Sequence, residues 1–550
     1  MNTLFRNISL MLAAGAIAVS CADYNETNNY TAEPDPTVVV PYKDLAPVKT
    51  YIDRVQYPNM TLGATLKVSD FNKQELAHAA AVTNFDNVAF GSTLMSGAIV
   101  NARGVMNFLD MKDLLDHVDE IGGEVFGSPL FANANQADEW LATLTAPIEI
   151  PVDFVEGKTV DFNTMSVGNY DGTIEKGKAS IVKYDNQNVL RINTKTDVRI
   201  VEGFEADPLA KYTTTFWARA DKDISFTITF SGQRVDGPAS EGKWTIKQGK
   251  WTKFVIESQS AADETNGYLR IENGLNGVLY IQKVQVGYYP DNHRPQTAQE
   301  LNDTINYAVN AWCDGVMKIN EGRIKSFDLI DEALDPSAEL ENGMLDLKHS
   351  TDKIFWQDFL GSENYAPAVA KAASRAFAEY GGEASELKFF ISESGLDDAK
   401  KIESLKYWIS IWDNNGAKID GINAKLNLLY SEDATIQAAN EATLKTLLNN
   451  LAGTGKMVRL SNFDIKYQDA EGKSVTAANI TEAQRQKLAD FYGFVIKQYM
   501  AIIPNDKQAG ICKGNMVDTG DPVGLWSKDK SQDWVRTATY KAFCDALSGK

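Results

Sequence analysis

The sequence predicts an α/β protein: a (β/α)8 TIM barrel interrupted by an all-β sandwich. Three observations predict it. Strand-like and helix-like patterns alternate over 46–147 and again over 291–550, as parallel βα units do. Between them, 148–290 carries short β-rich runs parted by Asn, Gly and Asp turns, with no long helical pattern. Strand candidates before and after that stretch together make the eight that close a parallel barrel.

In chain order, Arg6 precedes an apolar run over 8–19 that ends at Ser20-Cys21. A charged start, a short apolar stretch and small residues before a break make a signal peptide. The run is too short for a transmembrane helix. Its end, Ala18-Val19-Ser20-Cys21, resembles a bacterial lipobox, which implies cleavage before Cys21 and lipid on its sulfur. An ordinary signal peptide with an incidental cysteine is the other reading. Residues 1–21 are therefore expected to be leader and lipobox, and the lipid to anchor the chain in an outer membrane, at the cell surface. Residues 22–45, rich in Asn, Thr, Asp and Pro, read as a tether.

The first barrel segment carries strand patterns at 62–66, 85–90 and 124–130, with helices at 73–82 and 111–121. In 148–290 the β runs include 189–192, 213–218, 224–230, 251–256, 268–271 and 278–281. The second barrel segment carries strands at 324–330, 387–391, 419–428, 456–465 and 509–513. Its helices are expected at 301–316, 365–379, 400–414, 441–452 and 482–502. The termini of a sandwich can lie close together, so one barrel loop can hold it.

A net charge of −20 argues against nucleic acid or an anionic membrane surface as partner. It serves solubility and permits a neutral ligand. Cys313, Cys512 and Cys544 have neither disulfide nor metal spacing and read as small buried hydrophobes. No cofactor is implied, although Asp- and Asn-rich turns of the sandwich could hold a structural calcium ion.

The barrel segments resemble glycoside hydrolase family 10, the endo-β-1,4-xylanases, over most of 46–146 and 295–550. Phe327-Asp328-Leu329-Ile330-Asp331-Glu332-Ala333 resembles W-D-V-V-N-E-A, which carries the family's acid/base. Leu460-Ser461-Asn462-Phe463-Asp464-Ile465 resembles I-T-E-L-D-I, which carries its nucleophile. Arg103-Gly104-Val105-Met106-Asn107-Phe108 resembles the R-G-x-x-x-F segment after strand two, and Ile419-Asp420-Gly421-Ile422 the start of strand six. Bacteroidetes members of the family carry a carbohydrate-binding sandwich after strand three, and the segment beginning near 147 resembles that arrangement. The sandwich itself resembles the jelly-roll carbohydrate-binding modules of xylanases.

A retaining glycosidase needs two carboxyl groups about 5–5.5 Å apart, an acid/base and a nucleophile. The resemblance puts Glu332 at the acid/base position and Asn462, an amide, at that of the nucleophile. An amide is too weak to attack an anomeric carbon. Asp464 is two residues further along and reads as structural. Glu393 is the better substitute carboxylate, and Asp331 is expected to face away from Glu332. Glu332 could equally be a structural partner of a Lys or Arg. The family's polar sugar contacts are replaced by Gly91-Ser92, Met95, Ser128, Ala132, Asn133, Ser392-Glu393-Ser394-Gly395 and Lys425-Leu426-Asn427. None of His78, His117, His293 or His349 falls at a barrel-strand tip.

These losses point to a barrel that binds xylan or a related β-glycan without cutting it, beside neighbouring glycan-uptake proteins. The alternative is an endo-β-1,4-glycanase using Glu332 and a non-standard second carboxylate. Sugars offer apolar faces to aromatic rings and hydroxyls to amides and carboxylates. Candidate carbohydrate contacts are therefore Trp140, Trp312 and Trp526 at the barrel mouth, Trp244 in the sandwich, and Asn427 and Glu393. Any of these tryptophans could instead be core, and Trp217, alternating with Phe216, is expected to be.

Overall fold

The computed structural model describes residues 42–120, 123–208, 210–274, 276–290 and 292–550. Cys21, the leader and the tether up to residue 41 lie outside them. The chain divides into two compact units, 147–296 and the segments that flank it.

The flanking segments fold around one parallel sheet. Its strands are β1 (Leu62–Thr65), β2 (Asn87–Ala89), β3 (Glu124–Val125), β4 (Ser326–Asp331), β5 (Lys388–Ser394), β6 (Gly421–Lys425), β7 (Met457–Ser461) and β8 (Gln508–Lys513). Each is parallel to its neighbours, and β8 returns to β1 through Gly63 opposite Cys512. The seam between β3 and β4 is irregular. Gly127 bridges Phe327, and Phe131 and Ala132 pair with Ile330 and Asp331. Glycine is required at that seam, because a Cβ on Gly127 would overlap the Phe327 ring. The sheet thus closes into a barrel.

The strands are short apolar runs buried on both faces, as parallel strands must be. Helices Leu76–Asn84, Leu109–Glu120, Ala298–Asn320, Tyr365–Glu379, Ala399–Asn414, Ala434–Ala452, Glu482–Ile502 and Ala538–Leu547 accompany them. Side chains satisfy the exposed N–H groups of several helix starts. Thr297 with Glu300 and Thr481 with Gln484 form reciprocal capping boxes, and Asp398 and Asp433 cap singly. Asp433 explains why that helix begins at Ala434 rather than at the expected 441.

Two expected strands are each split. The run 419–428 yields β6 and then Leu428–Ser431; the run 456–465 yields β7 and then Ile465–Gln468. The two second pieces pair with each other outside the barrel. Beyond β7 the direction changes at Asn462, which adopts a positive φ of 52°.

Residues 147–296 form a two-stranded ribbon of Ile148–Glu149 with His293–Arg294 and two large antiparallel sheets. One is ordered Thr252–Ser258, Lys211–Ala220, Leu279–Tyr289, Gln187–Ile192, Ala179–Tyr184 and Gly168–Asn169, with Val155–Asp161 also on Leu279–Tyr289. The other is ordered Gln233–Val235, Ile224–Phe230, Asn266–Asn273, Asp197–Glu205 and Ile174–Lys176, with Trp244–Ile246 also on Ile224–Phe230. Strict alternation, as in Tyr212, Thr214, Phe216, Ala218 and Ala220, sends one face of each sheet into a shared apolar core.

Cys313, Cys512 and Cys544 are free and buried, as their spacing predicts. Among the described residues no helix is long and apolar enough to cross a membrane.

Candidate functional site

The C-terminal ends of the barrel strands, where barrel sites are built, bring Glu332, Glu393 and Asn462 to one mouth. Glu332 follows β4 and Asn462 follows β7, and both take a left-handed backbone, φ 50° and 52°. That conformation costs a side-chain-bearing residue about 1–2 kcal/mol. It aims both side chains off the line of their strands.

Glu332 sits in a network of charges. Lys425 Nζ is 3.5 Å and Lys401 Nζ 3.9 Å from its carboxylate, and Ser394 Oγ donates to it at 3.2 Å. Its carboxyl also shares a hydrogen bond with Glu393. Glu393 is fully buried, accepts from Leu334 N at 3.3 Å, and has Lys401 Nζ 2.8 Å away as an ion contact. Two carboxyls in hydrogen-bond contact cannot both ionise cheaply. Burial, then the hydrogen bond and charge of Glu332, pushes the Glu393 carboxyl up. Burial opposes ionisation of Glu332 too, but the proton on Glu393, with Lys425, Ser394 and Lys401, holds Glu332 well below the usual carboxylate range. The two shifts run in opposite directions and favour a shared proton on the Glu393 side.

Glu393 is thus no surrogate nucleophile. A nucleophile must be ionised, exposed and about 5–5.5 Å from the acid; Glu393 is fully buried, its carboxyl is pushed up, and it lies against Glu332. Nor does Glu393 offer a surface to a glycan, so its expected carbohydrate contact is corrected. Asp464 is structural as expected: it pairs with the buried ammonium of Lys513 and accepts from Asn515 N at 3.1 Å and Nδ2 at 2.6 Å. Asn462 is exposed, with its amide donating to Leu426 O at 3.1 Å.

Asp331 departs from expectation. Strand alternation would turn it away from Glu332, yet Lys425 pairs with both. The left-handed turn at Glu332 breaks the alternation. Asp331, Glu332 and Asp328 together raise the Lys425 ammonium despite its burial.

Beneath the mouth lies a cavity of about 310 Å³. Ser128, Asp328, Ser392, Asn423 and Arg459 line its depth, and Asp331, Lys425 and Asn462 its rim. Burial raises the Asp328 carboxyl to about 7 against the opposing pull of Arg459. A neighbouring cleft of about 570 Å³ shares Thr65, Phe90, Gly91, Ser92 and Gly514 with the cavity and reaches half-buried Trp534. Of the replaced subsite positions, Gly91, Ser92, Met95, Ser128, Ser392 and Lys425 line the cavity, whereas no histidine does.

The aromatic expectations for the barrel are corrected. Trp140, Trp312 and Trp526 are all at most 5% exposed. Trp140 packs over Gly104; Trp312 stacks on Phe108 and donates to Leu130 O at 2.8 Å; Trp526 lies against Trp534 and Tyr540. Each fills core volume and has no face left for a sugar. Asn427 is exposed just past β6 but lies outside the cavity lining. Arg459 and Trp534 were not singled out by the sequence, and Lys425 only as a replaced sugar contact. Their signal was a charge in a strand pattern and a tryptophan among turn residues.

In the all-β unit the expected roles of two tryptophans exchange. Trp244 packs on the core, edge-on to Phe254, and its indole donates to Val235 O at 3.0 Å. Trp217 is 41% exposed on the outer face of its sheet. On that face Tyr184 lies 5.0 Å from Tyr280 and 6.0 Å from Trp251, with the Arg219 guanidinium over its ring. Among the described residues no group of three or more His, Cys, Asp or Glu is placed to hold a metal ion, in the turns of this unit or elsewhere.

Comparison with known proteins bears on this mouth. The family model "Glycosyl hydrolase family 10" matches residues 289–535. Endo-1,4-beta-xylanase A of Cellvibrio japonicus is 23% identical over 358 residues, which are 60% of this chain and 56% of that protein. The chain thus spans about half the length of this relative. Among solved structures, xylanase B from Clostridium stercorarium F9 superposes with a TM-score of 0.51 at 12% identity, covering 91% of this chain and 100% of that one. A GH10 endoxylanase retrieved from a sugarcane soil metagenome gives 0.50 at 9% identity, covering 92% and 100%. At these identities the superpositions speak for the fold alone. Residues 289–535, which hold five of the eight strands of the closed parallel barrel, therefore match a glycosyl hydrolase family 10 domain.

Proposed function

We propose that this protein is an exported, surface-anchored glycan-binding protein whose barrel holds xylan or a related β-glycan without hydrolysing it. The observation that carries the reading is the state of the carboxyls at the mouth. Glu332 has an amide, Asn462, at the β7 tip, and the neighbouring carboxyl, Glu393, is fully buried, where burial and the charge of Glu332 push it up. The residual groove supports binding: a polar cavity opens beside a cleft that ends at Trp534. The choice of glycan is supported by the similarity to an endo-1,4-beta-xylanase. Export, lipidation at Cys21, an outer-membrane location and neighbouring uptake proteins as partners rest on the leader-like start alone.

Incubation with β-1,4-xylan is expected to release no reducing ends above those of the Glu332→Gln variant. Reducing-end release that vanishes in that variant would establish the competing endo-glycanase reading. Affinity electrophoresis through xylan and other β-glycans is expected to show retardation.

The outer aromatic face of the all-β unit offers a second contact, because Trp217 is exposed where a sugar ring can stack. Trp217→Ala is expected to weaken that contact about tenfold and leave the unfolding midpoint unmoved, as read by affinity electrophoresis and thermal melting. Unchanged retardation would remove the face from the binding surface.

A further inference from the structure

The two large sheets of the all-β unit differ in charge. In the first, strands Thr252–Ser258, Lys211–Ala220, Leu279–Tyr289, Gln187–Ile192 and Ala179–Tyr184 carry Lys183, Arg191, Lys211, Arg219, Lys253 and Lys283 against a single acid, Glu257. This is a local excess of cations in a chain whose net charge is −20. The arginines of the other sheet are neutralised by neighbours. Arg199 pairs with Glu175 at 3.0 Å and Glu202 at 3.8 Å, and Arg270 with Asp197 at 3.3 Å. Among the described residues no ion pair engages the six cations of the first sheet.

The strand register gathers these cations around the exposed aromatic rings. Trp217 lies opposite Lys253, and Thr215 opposite Val255, which is 54% exposed. Directly opposed residues share a face, with Cβ atoms about 4.5–5.5 Å apart. Tyr280 stands between Arg219 and Arg191 of its two neighbouring strands. The Arg219 guanidinium covers the Tyr184 ring, 5.1 Å from its centre. Glu257 is four positions beyond Lys253, about 13 Å along the strand, so no carboxylate of these strands sits among the rings. A bulge marks the spot, because Gln282 and Lys283 both fall opposite Trp217, and bulges re-aim side chains.

Rings and cations together select the ligand. An inorganic anion gains nothing from the rings, and a neutral sugar gains nothing from the unpaired charge. A sugar whose exocyclic carbon is a carboxylate uses both. Its apolar face stacks on Trp217, and its carboxylate accepts charge-assisted hydrogen bonds from Lys253 or Arg219. Lys253 is one cross-strand step from Trp217 and Arg219 two positions along the same strand, about 5–7 Å in either direction. That is the reach of one substituted sugar ring.

We propose that the Trp217 face of the all-β unit selects acidic sugars: it takes a β-glycan bearing uronic acid residues in preference to the same chain without their charge. This rests on the reading of that face as a glycan contact and narrows it to a substrate class.

The test titrates the full chain calorimetrically with glucuronoxylan and with the same polymer after its carboxyls are reduced to alcohols, which separates the charge from the backbone. At about 20 mM salt the native polymer is expected to bind about tenfold more tightly than the reduced one. The gap should close at about 300 mM, where exposed charges are screened beyond roughly 6 Å. Lys253→Gln should narrow the gap several-fold, and Trp217→Ala should abolish it by removing the platform that places the sugar. Both side chains are exposed, so folding is not at stake, and melting curves check each variant.

Equal binding of the two polymers, or a gap that both folded variants leave intact, overturns the acidic-sugar preference while glycan binding stands. Displacement of glucuronoxylan by polyuridylate as readily as by glucuronoxylan oligosaccharides overturns recognition of the sugar and makes the face a general anion surface. No binding of either polymer by wild type overturns the glycan-binding reading and the preference with it.

Discussion

Replacing Asp464 with alanine is expected to destabilise the barrel by about 3–5 kcal/mol, the usual consequence of stripping the partner from a buried charge. Lys513 lies in β8 with no exposure, and its ammonium pairs with Asp464. Burial already lowers the Lys513 ammonium below its ordinary range, opposed mainly by that carboxylate. Asn515 is bound to the same carboxylate, and a Cβ on Gly514 would stand 2.6 Å from it. The loop after β8 is thus wrapped around Asp464. Denaturant titration at pH 7 should show the loss in full. The double variant Asp464→Ala, Lys513→Met should recover much of it, because the stranded charge is then gone. Equal stability of Asp464→Ala and wild type would mean that Lys513 is neutral or hydrated in the folded chain.

Glu393→Gln is expected to be neutral at low pH and increasingly stabilising as pH rises. A carboxyl raised in the folded state holds a proton that the unfolded chain has released. Its stabilising contribution is complete below the ordinary carboxylate range and is lost as pH rises toward about 8. Each pH unit in that window is worth up to about 1.4 kcal/mol. Glutamine mimics the protonated acid: it keeps a donor for Glu332 and an acceptor for Leu334 N. Near pH 5 the variant should match wild type, and near pH 9 it should be the more stable by a few kcal/mol. Glu332, held below its usual range, contributes in the opposite direction, but only at pH below the ordinary carboxylate value. Urea unfolding at pH 5, 7 and 9 reads the difference. Parallel curves for the two proteins would show that no proton is shared between Glu332 and Glu393.

Much of the barrel was legible before folding. The helices Tyr365–Glu379 and Glu482–Ile502 fall on their apolar periodicity, and β5, β6 and β8 on short buried runs. Boundaries failed where a local device overrode the pattern. Asp433 starts a helix ahead of its apolar repeat, and the left-handed residue Asn462 splits a strand that composition reads as continuous. The candidate site was legible at its chemically poorest points. Asn462 is an amide in any conformation, and four histidines cannot line a mouth they do not reach. Glu332 was identified, but its partners Lys425, Lys401 and Glu393 come from three other elements.

The amino-acid order alone therefore set the element sequence and the absence of a carboxylate at 462, since periodicity and side-chain chemistry are local properties. Packing decided the rest. Trp140, Trp312 and Trp526 became core while Trp217 became surface, and Asp328 and Arg459 came to line one cavity. Exposure, protonation and vacancy depend on which distant segments arrive beside a residue, and only the closed barrel and the paired sheets bring those segments together.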